Sequence, residues 1–123
     1  MSSRPHPGSE RPLQGPLQRF ELSDEIGRLR EEGAWQRGQH NSITLRKGES
    51  MNVVLLLMKA GDRLEEHAAP GPISLSVREG RIRFMAAEEV VEAGSDTLLT
   101  CDAGIRHTVE ALSDAVCLLT IAG

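Results

Sequence analysis

The stretch Ile73-Ser74-Leu75-Ser76-Val77-Arg78-Glu79-Gly80-Arg81-Ile82-Arg83-Phe84 decides the class of fold. Ile73, Leu75 and Val77 alternate with Ser74, Ser76 and Arg78; beyond Gly80, Ile82 and Phe84 alternate with Arg81 and Arg83. A period of two sends every second side chain to one face, the signature of a half-buried strand. The short Glu79-Gly80 connection predicts a hairpin, with Gly80 supplying the positive φ that a tight turn needs. On that hairpin Arg78, Arg81 and Arg83 share the outward face. They read as a solvated strand surface, with an anion or partner contact as the alternative.

Working outward, turn signals recur at Lys47-Gly48, Ala60-Gly61-Asp62, Pro70-Gly71-Pro72, Gly94-Ser95-Asp96, Ala103-Gly104 and Ser113-Asp114. Short strands between turns spaced by roughly 9 to 14 residues predict an all-β sandwich or barrel. Val53 to Met58 is apolar without alternation, which predicts a strand covered on both faces. Leu118, Leu119 and Ile121 make a similar final strand. Upstream, Leu22, Ile26 and Leu29 form one apolar stripe of a short helix, with Ser23 as the expected N-cap, Asp24 and Glu25 in the first turn and Gly33 as its stop. Such a helix is marginal alone and must pack on something larger, with Trp35 anchoring its end. Residues 1–18 carry four of the six prolines and read as a flexible tail. Residues 19–40 are then the helix and its connection, and 41–123 the barrel.

Composition bounds the partners. At 123 residues the chain is one domain. Its aromatic content is 2%, from Phe20, Trp35 and Phe84, too few for a base-stacking platform or an aromatic cage. A net charge of −4 argues against a general nucleic-acid binder. Cys101 and Cys117 form neither a C-x-x-C motif nor a disulfide framework and are expected to be small apolar side chains inside. The N-terminus has no apolar leader and no run is long enough to span a bilayer, so a cytoplasmic protein without membrane contact is expected. P-loop, dinucleotide and nucleophile-elbow motifs are absent.

Chemistry therefore falls to four histidines. His6 lies in the tail, and His40 beside Asn41 reads as a loop residue. His67 follows the Gly61-Asp62 turn and His107 the Ala103-Gly104 turn, 40 residues apart. In a closed antiparallel barrel two such positions can face each other across the interior.

Residues 50–122 resemble the cupin superfamily, small jelly-roll β-barrels. Gly61 to His67 fits the first half of its first motif, and Gly80 closes that motif. Gly94 opens the second motif, and Gly104 and His107 keep its glycine–histidine spacing. The resemblance implies a double-stranded β-helix with the one short N-terminal α-helix ahead of it. His67-Ala-Ala-Pro-Gly-Pro-Ile73 is similar to small single-domain, RmlC-like bacterial cupins that share the early helix and have no assigned activity. Metal-binding members use three histidines and one glutamate. Here Ala69 stands at the second histidine position, Ile73 at the glutamate position, Asp102 at a proline and Ala111 at the final asparagine. Only His67 and His107 remain as ligands to a divalent metal (Zn, Mn, Fe or Ni), fewer than the three protein ligands of ordinary catalytic sites. Glu65 is the first candidate for a third, because residues two apart on a strand face the same way. Glu66, Cys101 and Asp102 rank below it, and Glu65-Glu66 and Glu88-Glu89 otherwise read as surface charge.

The expectation is a small molecule held in the barrel interior by aliphatic side chains with His67 and His107 as polar contacts. The alternatives are a metal-dependent enzyme (a dioxygenase or isomerase) and a dimerising scaffold without catalysis. A homodimer is expected in any case, with the two-sided apolar strand Val53–Met58 as a surface that a partner chain could cover.

Overall fold

The alternating segment does form two strands, but they do not pair with each other. The structure is a computed structural model that describes residues 12–123, with the backbone alone at Glu66 and His67; His6 and the rest of residues 1–11 lie outside the described residues. Among the described residues two helices, α1 (Leu22–Glu31) and the single turn α2 (Gly33–Gln36), precede nine strands. These are β1 (Asn41–Lys47), β2 (Met51–Met58), β3 (Arg63–His67), β4 (Ile73–Glu79), β5 (Arg81–Ala86), β6 (Glu89–Gly94), β7 (Thr97–Cys101), β8 (His107–Ala111) and β9 (Ala115–Ala122). One sheet has the order β1-β2-β9-β4-β7 and the other β3-β8-β5-β6.

From β2 onward the antiparallel pairs nest: β2 with β9, β3 with β8, β4 with β7, β5 with β6. The barrel is thus one long hairpin rolled up, the double-stranded β-helix expected, and its tip is the β5–β6 turn. The expected Glu79-Gly80 hairpin is instead a corner, where the chain leaves the five-stranded sheet and enters the four-stranded one. The sequence could not separate the two because both need a positive φ, and Gly80 has φ 79°. Its lack of a side chain matters equally, since a Cβ there would collide with the Asp114 carbonyl oxygen and lie 2.9 Å from Ala115 Cα. The true tip has no glycine. Ala87 and Glu88 occupy it at φ 52° and 64°, a conformation that L-residues with a Cβ adopt at a cost.

The corner also splits the arginine trio. Arg78 belongs to the five-stranded sheet, whereas Arg81 and Arg83 lie on the outer face of the other. There Arg83 bonds Glu110 at 3.2 Å and Glu92 at 3.3 Å, and Arg81 pairs with Glu92 at 3.6 Å. In the register Arg63, Glu110, Arg83 and Glu92 follow one another across four strands as a ladder of alternating charge.

The five-stranded sheet is buried on both faces at β2 and β9. Leu56, Met58, Leu75, Val77 and Cys117 point into the barrel core with Ile82, Phe84 and Val109 of the opposite sheet. Leu55, Leu57 and Val116 point the other way and pack with Ile26 and Leu29 of α1 and with Ile43 and Leu45 of β1. The two-sided cover expected of Val53–Met58 is therefore met within the chain, by the barrel core on one face and by the N-terminal helix on the other.

The helix ends differ from expectation. Ser23 lies within α1 rather than capping it, and the capping residue Glu21 makes no side-chain hydrogen bond. At the far end Gly33 opens α2. Asn41 Nδ2 donates to the Leu29 carbonyl and to Glu32 Oε1, both at 2.9 Å, so the first residue of β1 adds a second donor to a carbonyl that also accepts the Glu32 N–H at 3.3 Å, and ties the sheet to the end of the helix. Lys59 Nζ sits 3.7 Å from the centre of the Trp35 ring, fastening α2 to the end of β2. Residues 12–18, read from sequence as the end of the tail, run beside β1. Lys47 N–H donates to the Leu13 carbonyl at 2.9 Å, and Arg46 Nη1 reaches Gln18 Oε1 at 3.0 Å.

Candidate functional site

Strand β8 carries the site. His107 opens it, and its neighbours in the register are His67 on β3 and Ala86 on β5. The two histidine positions are therefore side by side on adjacent strands rather than opposed across the interior. A β-bulge brings them level. Between Leu64, opposite Val109, and His67, opposite His107, β3 takes three steps against two on β8.

The same bulge undoes the argument for Glu65, because strict two-residue alternation does not hold across it. Glu65 is exposed, with its side chain 75% accessible and an oxygen 3.2 Å from Arg63 Nε. Ala69 and Ile73, at the positions where metal-binding cupins place ligands, pack into the apolar core. Among the described residues no three His, Cys, Asp or Glu side chains come together as a metal site. The donors present do not fit the four-ligand centre of the metal-binding members.

The two motifs meet through the backbone, since Gly104 N–H donates to the Ala69 carbonyl at 3.0 Å and joins the β7–β8 loop to the segment after His67. His107 is buried, with 5% of its surface exposed. Its Nδ1 lies 3.2 Å from the Ile105 carbonyl, and its ring stacks on Phe84 with centroids 5.4 Å apart and planes 14° from parallel. A protonated Nδ1 donating to Ile105 is the tautomer this contact favours, which leaves Nε2 as the acceptor. The imidazole is locked by a carbonyl on one side and an aromatic face on the other, so it is a fixed polar group in an apolar wall.

A cavity of about 430 Å³ opens beside this pair, where the edge strands β6 and β7 of the two sheets approach. Phe84, Ala86, Val91, Leu99 and Ile105 supply its apolar surface, and Glu89, Thr100, Cys101 and Asp102 its polar atoms. Cys101 is half-buried and free, and Cys117 is fully buried in the core, where desolvation pushes its thiol up to about 11. Sequence reasoning named Cys101 and Asp102 only as remote metal ligands and did not find Val91, Leu99 or Ile105. Phe84 had a signal, its inward phase on β5. Val91 had none, because β6 shows no clean alternation and depends on the unrecognised turn before it.

The architecture and the paired glycine–histidine motifs define the class: a cupin-fold barrel. Comparison with known proteins agrees. The fold matches an RmlC-like cupin protein from Desulfovibrio desulfuricans at 26% identity, covering 70% of this chain and 84% of that one with a TM-score of 0.63. A cupin 2 conserved barrel domain protein from Leptotrichia buccalis matches at 21% identity over 72% of this chain and 43% of that one, with a TM-score of 0.68. A conserved protein of unknown function from Streptococcus pyogenes matches at 20% identity over 68% and 74%, with a TM-score of 0.66. No family model matches the sequence, and no curated protein does. Among the described residues no helix is long and apolar enough to cross a membrane.

Proposed function

We propose that this protein is a small-molecule-binding cupin that acts in the cytoplasm, with the cavity between β6 and β7 as its binding site and the two motif histidines, His67 and His107, as its polar contacts. The observation that carries the reading is the cavity itself. Its volume of about 430 Å³ lies in the range of ordinary ligand sites, it is walled mainly by apolar side chains, and the Phe84 in its wall is stacked on the buried His107. The metal-dependent alternative lacks support from the donor set, since Ala69 and Ile73 offer no ligand and Glu65 is exposed beside Arg63.

The test is a screen of small neutral fragments against the isotopically labelled full chain by amide chemical shifts. Fragments should move the amides of residues 84–91 and 99–107, and His107→Ala should weaken them by about tenfold, the worth of one hydrogen bond left unmade. Fragments that bind only elsewhere would refute the site. A second reading, a homodimer, is favoured by the exposure of Val90 (65%) and Leu98 (64%) on the edge strands β6 and β7. Sedimentation equilibrium tests it, and a monomer at high concentration would rule it out.

A further inference from the structure

Among the described residues, the charges that line the cavity are all of one sign. Glu89 at the start of β6 and Asp102 just beyond β7 border it, and none of the described lining residues is a lysine or arginine. Neither carboxylate has an ion pair or side-chain hydrogen bond among the described residues. The arginines of the neighbouring strands are committed elsewhere. Arg81 and Arg83 pair with Glu92 and Glu110 on the outer face of the sheet. Arg63 and Arg106 line a separate hollow of about 390 Å³ on that outer face, and Glu89 stands at the boundary between the two.

Apart from the uncharged Thr100 and Cys101, the rest of the described wall is apolar. A low-dielectric cleft focuses the field of the charges at its mouth. An anion entering would give up hydration and meet two like charges, whereas an ammonium group exchanges part of its water shell for two carboxylates. We infer that the cavity selects a small organic cation, an ammonium group carried on an apolar body, over a neutral or anionic molecule of the same shape. This rests on the small-molecule reading above and narrows it to a ligand class. The ammonium head sits at the rim near Glu89 and Asp102, and the body lies against Phe84 and Leu99.

The experiment uses the full chain and three probes that share one ring: benzylamine, benzyl alcohol and benzoate. Each is titrated while the amides of residues 84–91 and 99–105 are followed by NMR. Benzylamine, protonated at neutral pH, should bind at least about fivefold more tightly than benzoate, the scale of exposed charge pairs. The preference should shrink to within about twofold in Glu89→Gln/Asp102→Asn, and should weaken in the unmodified protein as salt is raised. If all three bind equally, or benzoate binds best, the small-molecule reading stands and the cation preference is overturned. If none moves those amides while the folded spectrum is intact, the small-molecule reading falls and takes this inference with it.

Discussion

Replacing Gly80 by alanine tests whether the corner between the sheets has been understood. Two separate costs apply. The first is conformational: at φ 79° a residue with a Cβ pays about 1–2 kcal/mol. The second is steric, because the new methyl would run into the Asp114 carbonyl oxygen and crowd Ala115 Cα at 2.9 Å, both of them backbone atoms at the start of β9. Forcing such an overlap into a packed site costs about 1–3 kcal/mol more. Gly80→Ala should therefore lose roughly 2–5 kcal/mol and on the order of 10–20 °C in Tm. Gly38 provides the control, because its φ is 84° and nothing lies within 4 Å of a Cβ built there. Gly38→Ala should lose only the conformational part, about 1–2 kcal/mol. Urea denaturation followed by far-UV circular dichroism and by the emission of Trp35, the sole tryptophan, measures both. If Gly80→Ala costs no more than Gly38→Ala, the close approach of the corner to β9 is wrong.

Three further outcomes follow from the same structure. The double change Ala87→Asn/Glu88→Gly relieves two left-handed residues at the tip of the rolled hairpin and should raise stability by about 1 kcal/mol, read as a higher Tm; a lower Tm would contradict the turn geometry. Leu29→Ala removes a fully buried side chain between α1 and the sheet and should cost about 2–4 kcal/mol by calorimetry; a loss below about 1 kcal/mol would mean that the helix does not cover the sheet. Burial holds the Cys117 thiol protonated to about 11, against 9.0 when exposed. The unfolded chain therefore releases that proton first, and this contribution to stability is whole below pH 9 and falls by about 1 kcal/mol per pH unit from there to pH 11. Urea midpoints across that window should show the extra slope in the unmodified protein and not in Cys117→Ala.

What the sequence revealed and concealed follows from where glycine and alternation speak. Ile73–Val77 and Ile82–Phe84 announced their strands and inward faces, and Leu22, Ile26 and Leu29 announced the helix, because burial on one side leaves a period. Which strands pair was hidden, since a corner and a hairpin both ask for a residue such as Gly80. The real hairpin at Ala87-Glu88 carries no turn residue at all, so β6 and its share of the cavity went unseen. The turns before His67 and His107 marked both positions in the sequence, and the register sets them side by side on β3 and β8 rather than across the interior. Their side-by-side relation depends on the β3 bulge, which no residue type between Leu64 and His67 marks. The same bulge breaks the two-residue alternation on which the case for Glu65 was built.

The cavity beside the Phe84–His107 stack is the proposed binding site on which the function turns. Val91 stands at its edge on β6, 38% exposed, so Val91→Trp should fill the opening without disturbing the core. The decisive measurement is calorimetric titration of benzyl alcohol into the unmodified protein and into Val91→Trp, with the fold of each checked by circular dichroism. Binding to the first and none to the second, with the same β spectrum in both, is the predicted result. Equal binding to both would place the ligand elsewhere and contradict the account.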